Sequence, residues 1–180
     1  MMEARFDFDG VVDRWDSDSV KWAGARQKFG RPVFPMWVAD MDFPVAPNIL
    51  RALEQRLAEP VLGYPDHDET VHEAAADWWC KRYSWKVRTD EVILVQGVVP
   101  ALNAAVRAFS QPDDGIIVMP PIYPPFFAAV TGQGRRLISV PLRKDAGLRD
   151  EIDFASLAAQ LPQARMLLLC SPHNPVGRVW

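Results

Sequence analysis

Segments with helical spacing of apolar residues alternate along this chain with short runs that are apolar throughout. Residues 47–59 put Ile49, Leu50, Leu53 and Leu57 on one face, the 3.6-residue spacing of an amphipathic helix. A second helix is predicted over 69–83. Residues 91–95 (E-V-I-L-V), 115–119 (G-I-I-V-M) and 166–170 (M-L-L-L-C) are too short and too uniformly apolar for surface helices and read as buried strands. Residues 136–141 are a further strand candidate. Between these strands lie predicted helices over 99–109, with Pro100 in its first turn, from the Pro-rich run to Val130, and over 153–161, with Asp153 as its cap. Nearer the start, Ser17 or Ser19 can cap a short helix reaching Phe29, with Gly30 to end it. Residues 1–16 are acidic and aromatic without clear periodicity, and 31–47 form a Pro-rich loop.

Strands alternating with helices from residue 47 onward predict an α/β fold, a mostly parallel sheet flanked by helices. Ligands of such sheets bind outside the carboxyl ends of the strands. Here those ends are 96–99, 120–123 and 171–174. Only ten residues follow the last predicted strand, with no covering helix, so the domain is expected to be incomplete.

Composition narrows the classes. The chain has 180 residues, 49% hydrophobic and 24% charged, enough for a buried core and unlike a disordered chain. A net charge of −3 gives no bulk attraction to nucleic acid or an anionic membrane. No stretch approaches a membrane span, and acids stand near the N-terminus where a signal peptide would be apolar. Two cysteines, Cys80 and Cys170, are too few for a disulfide framework, so a cytoplasmic protein is expected. His67 and His72 are five apart and share no helix face, so no metal site is expected. Gly132-x-Gly134 lacks a third glycine, Ser171 lacks a G-x-S-x-G frame, and Trp78-Trp79 reads as core and interface.

The chain has sixteen prolines, clustered at Pro32–Pro35, Pro44–Pro47, Pro120–Pro125 and Pro172–Pro175, where they fix loop shape. In Q-G-V-V-P (96–100) a glycine turns the chain into a helix, whose first N–H groups can bind phosphate or merely make a turn. In P-P-I-Y-P-P (120–125) Tyr123 is held between prolines, either to stack on a planar ligand or to pack in a stiff loop. In S-P-H-N-P-V-G (171–177) the Asn174 amide can donate to a ligand oxygen or shape an Asn-Pro turn.

Six strings carry a resemblance: F-D-F-D-G-V-V-D-R, P-M-W-V-A-D-M-D-F-P, L-G-Y-P, Q-G-V-V-P-A-L, M-P-P-I-Y-P-P-F and C-S-P-H-N-P-V-G-R-V-W. In this order the chain resembles the N-terminal half of a pyridoxal-phosphate enzyme of fold type I, the aspartate-aminotransferase fold. More narrowly it is similar to the bacterial carbon–sulfur β-lyases, the cystathionine β-lyase group of MalY and PatB type. The resemblance implies that residues 1–46 belong to the small domain and dimer arm. Residues 47–180 would be the N-terminal part of the cofactor-binding large domain, cut after about half of it. It implies pyridoxal 5′-phosphate as cofactor, with Gly97, Val98 and Val99 cradling its phosphate, Tyr123 stacked on its ring and Asn174 on its phenolic oxygen. Tyr64 would reach the phosphate of the neighbouring subunit of a homodimer. Ala39 and Asp40, in the loop with Met41, would close over the amino-acid substrate. The implied reaction is β-elimination from cystathionine or a cysteine S-conjugate, giving a thiol, pyruvate and ammonia; an aminotransferase of the same fold is the alternative.

None of the five lysines, Lys21, Lys28, Lys81, Lys86 and Lys144, stands in the family's S-x-S-K context. No catalytic residue is therefore expected in this chain, since the Schiff-base lysine is missing. Taken alone, a chain without it is expected to be inactive; a non-catalytic truncated remnant is the alternative of another class.

Overall fold

A computed structural model describes residues 6–64 and 69–180. The chain divides into two units, 1–68 and 69–180, which are taken in turn.

The second unit is built on β1 (Gly115–Val118), a strand buried at every position. It pairs in parallel with β2 (Arg136–Ser139) on one side and with β5 (Met166–Leu167) on the other. Successive side chains of a strand face opposite sides. Ile116 and Val118 therefore meet Val106 of α4 (Val98–Phe109) and Phe126, Ala129 and Val130 of α5 (Pro125–Thr131). Ile117 and Met119 face the other way, onto Ile138, Val140 and Leu157 of α6 (Phe154–Gln160). Helices thus cover both faces, which is why β1 is an unbroken apolar run rather than an alternating one. Gly115 is required by close approach. A β-carbon there would collide with the Gln163 carbonyl oxygen and lie 2.6 Å from Ile138 Cδ1.

The α/β class and parallel pairing match expectation. Helix α3 (Glu69–Tyr83) has its predicted bounds. Asp153 caps α6 as predicted, accepting from the Ser156 amide at 3.1 Å and from its hydroxyl at 2.6 Å; both bonds hold the Asp153 carboxyl below its usual pKa. The predicted strand over 91–95 is a correction. After a single 3-10 turn (Thr89–Glu91) the chain runs extended but joins no strand among the described residues, and Ile93 is 82% exposed. Apolar content signals burial, but a strand also needs a neighbouring strand to bond to. An antiparallel pair, β3 (Arg143–Lys144) and β4 (Asp150–Glu151), was not predicted; two charge pairs, Arg143–Glu151 and Lys144–Asp150, bridge it.

In the first unit, α1 (Ala23–Phe29) begins later than expected because Ser17 and Ser19 serve turns instead. The Ser19 hydroxyl accepts from the Trp22 amide at 3.2 Å. Helix α2 (Pro47–Leu57) forms as predicted, yet Ile49, Leu50, Leu53 and Leu57 on its apolar face are all exposed. Residues 31–46 form the expected loop without regular structure.

Candidate functional site

The candidate residues of the second unit stand where elements end. Gly97 precedes α4 at φ 133°, a conformation open to glycine and strained for any L side chain. No side chain caps this end, and Gly97 and Val98 are exposed. The N–H groups of the first turn have no intrahelical acceptor and stand at the positive end of the helix dipole. An anion fits there.

Tyr123 follows β1 and is 42% exposed, with prolines before and after it. The Phe126 amide donates to its carbonyl at 3.0 Å, fixing it at the entry to α5. Asn174 follows β5, the immediate neighbour of β1, and is also exposed. A tight turn holds it: the Gly177 amide donates to the His173 carbonyl at 2.7 Å, and the His173 amide to the Arg178 carbonyl at 2.6 Å. Parallel pairing of β1 with β5 brings the Tyr123 and Asn174 loops to the same sheet end. An uncapped helix start, an aromatic ring and an amide are the group types that a flat, phosphorylated, oxygen-bearing ring requires. Among the described residues, no group of three His, Cys, Asp or Glu is placed to hold a metal.

Residues 32–180 match the family model for aminotransferase class I and II. The chain belongs to this family. It is 40% identical over 176 residues to cystathionine beta-lyase PatB of Bacillus subtilis, covering 96% of this chain and 45% of that protein. It is 34% identical over 180 residues to protein MalY of Escherichia coli, covering 97% and 46%. Cystalysin of Treponema denticola, whose crystal structure contains a pyridoxal 5′-phosphate cofactor, superposes with a TM-score of 0.89 at 38% identity, over 98% of this chain and 46% of that one. The carbon–sulfur lyase of Staphylococcus hominis superposes with a TM-score of 0.84 at 29% identity, over 98% and 45%. The chain of this aminotransferase-family protein spans about half the length of the curated relatives it matches. The aminotransferase fold expected from its motifs is thereby shown.

The other three candidates lie in the first unit. Tyr64 is fully exposed. Ala39 and Asp40 sit in a loop held by ion pairs. Arg14 bridges Asp40 at 2.7 Å and Asp42 at 2.8 Å. Lys21 reaches Asp42 at 2.6 Å and the Asp40 carbonyl at 2.9 Å, and the Trp22 indole N–H donates to Asp42 at 2.7 Å. The hydrogen bonds from Lys21, then Trp22, lower the Asp42 carboxyl to about 2. The bonds that Arg14 donates to Asp40, then Asp42, raise its own pKa. Val38, two residues before Asp40, has φ 55°, an uncommon state for a β-branched residue that these ties hold in place.

Motif reading passed over two groups. Arg14, Lys21 and Asp42 lie inside or near quoted strings, yet only the fold brings their charges together. His173 lies inside S-P-H-N-P, and its signal was a histidine locked between two prolines at a strand end. His67 lies outside the described residues, and His72 is on α3. Trp78 is 61% exposed, while Trp79 packs on Trp85 at 5.7 Å. No helix among the described residues is long and apolar enough to cross a membrane.

Proposed function

We propose that this chain forms the cofactor-holding part of a pyridoxal-phosphate-dependent carbon–sulfur β-lyase. Its substrate would be an amino acid with sulfur on the β-carbon, such as cystathionine, and its products a thiol, pyruvate and ammonia. The observation that carries this reading is the uncapped first turn of α4 behind Gly97, in a chain 40% identical to a cystathionine beta-lyase along 96% of its length. The N–H groups of Gly97, Val98 and Val99 receive the phosphate. Tyr123 lies against the ring, and the Asn174 amide donates to the ring's phenolic oxygen. The cofactor, when bound, supplies an electron sink for charge left on the substrate α-carbon.

Ala39 and Asp40 close over the substrate's amino-acid end. With Asp40 already paired to Arg14, the Asp40 carboxylate shapes that loop rather than meeting the substrate directly. Tyr64, open to solvent, extends toward the phosphate of a second subunit in a homodimer, acting in the cytoplasm. Residues 1–46 belong to the small domain and dimer arm, and 47–180 to the large domain. Aminotransferase activity is the second reading, favoured by a 29% identity over 155 residues to arginine–pyruvate transaminase AruH of Pseudomonas aeruginosa.

Titration with pyridoxal 5′-phosphate, followed by tryptophan fluorescence, tests the binding. Inorganic phosphate should compete, and phosphate-free pyridoxal should bind more weakly. Equal affinity for the two would remove the role given to Gly97–Val99. Incubation of a protein of the relatives' full length that carries this chain with L-cystathionine separates the chemistries, because a lyase releases pyruvate without a keto-acid acceptor and a transferase requires one. Pyruvate release by the 180 residues alone would show that a lysine in the S-x-S-K context is dispensable.

A further inference from the structure

His173 is fully buried, and neither the cofactor contacts nor the substrate loop uses it. Its Nε2 lies 2.9 Å from the carbonyl oxygen of Pro121, two residues before Tyr123 and 52 residues away along the chain. Its Nδ1 lies 3.1 Å from the indole Nε1 of Trp180, which also donates to the Cys170 carbonyl at 2.9 Å. The two rings meet edge to face at 5.4 Å.

The partners fix the proton. An indole N–H only donates, so Nδ1 accepts; a carbonyl only accepts, so Nε2 carries the hydrogen. Both ends demand the same neutral tautomer. The ring is therefore a directed link from the loop after β5, which carries Asn174, to the loop after β1, which carries Tyr123. Parallel pairing of β1 and β5 ends at Leu167, well before either loop. Past that point, the bond from Nε2 to the Pro121 carbonyl is a side-chain tie between them.

We propose that His173 is a positioning residue that, oriented by Trp180, sets the Tyr123 loop against the Asn174 loop. The meaning of that spacing rests on the functional reading above; the link itself does not.

Imidazole nitrogen NMR of the labelled protein reads the tautomer directly, and His173→Phe identifies the His173 signals among the three histidines. The expected spectrum shows hydrogen on Nε2. Trp180→Phe should shift Nδ1. His173→Phe should shift the backbone amides of Ile122 and Tyr123 as well as that of Asn174. His173→Gln, whose amide can still donate toward Pro121, should restore Ile122 and Tyr123 more fully than His173→Asn. Affinity for pyridoxal 5′-phosphate should fall about tenfold in His173→Phe, the worth of one neutral hydrogen bond. Hydrogen on Nδ1, or shifts confined to 170–180, overturns the proposal whether or not the cofactor binds. The wild-type tautomer decides the case if His173→Phe does not fold. A wild-type protein that shows the tautomer and the coupled shifts but binds no cofactor supports the link and overturns the functional reading instead.

Discussion

Two regions of this protein keep their shape by different means. Ile116, Ile117 and Val118 of β1, and Met119 just after it, are wholly shielded from water, between helices on both faces of the sheet. Over residues 6–64, Ala25 and Pro35 are the buried apolar residues described. There the loop from Met36 to Phe43 is tied by Arg14, Lys21 and Trp22 to two carboxylates, with aromatic edges such as Trp15 on Trp22 at 5.0 Å filling in. Burial is indifferent to direction and scales with area, whereas polar ties are directional and respond to pH and salt. The difference teaches where rigidity is invested. The sheet that carries the Tyr123 and Asn174 loops is fixed by packing, and the loop proposed to meet the substrate is fixed by charge.

The largest effect should come from a hole in the packed region. Ile117→Ala removes a side chain enclosed by Met119, Ile138 and Val140, and should lower unfolding stability by about 2–5 kcal/mol in a denaturant titration. The matching truncation on α2, Leu53→Ala, should stay within about 0.5 kcal/mol, since Leu53 is 56% exposed. Comparable losses at both positions would break the contrast and show that α2 is covered in solution. Overfilling should cost less than the hole. Gly115→Ala forces a methyl group against the Gln163 carbonyl and Ile138, and should lower stability by about 1–3 kcal/mol.

These contrasts also explain what could be read from the chain. Helix α3 and the β1 run were legible because period and apolar content are local properties. Asp153 was legible as a cap because the bond it makes spans only three residues. Residues 92–95 are as uniformly apolar as the core of β1 and join no strand here. Composition reports what a strand would bury, not whether a neighbour stands beside it. The β3–β4 pair escaped notice because two-residue strands have no period to detect. Within the candidate site, Gly97, Tyr123 and Asn174 were visible as breaks in pattern at strand ends. The His173–Pro121 bond joins residues 52 apart, and only the β1–β5 pairing makes them neighbours.

A milder change probes the start of α4. Proline is tolerated in a helix's first turn because the N–H it lacks has no intrahelical acceptor. Val98→Pro should therefore leave the thermal midpoint nearly unchanged while deleting one donor at the proposed phosphate site. Affinity for pyridoxal 5′-phosphate should drop about tenfold, one charge-assisted bond at the weak end of its range. Unchanged affinity would move the phosphate away from Val98.

The smallest effect concerns the charge-held loop, and pH gives its sign. Asp42 is lowered from 3.8 to about 2 by Lys21, Trp22 and Arg14. A carboxyl whose folded pKa lies below its unfolded value adds stability that is complete above the unfolded value. That contribution drains away as pH falls from 3.8 toward about 2, when the proton displaces the Lys21 and Trp22 bonds. The Trp22 indole N–H resonance should move through this window in the wild-type protein and stay flat in Asp42→Asn, where no carboxylate titrates beside it. Added salt should weaken the wild-type loop and leave β1 untouched, because Asp42 is partly open to solvent and Ile117 is not. Equal salt sensitivity at Trp22 and at the β1 amides would mean that the two regions share one means of support.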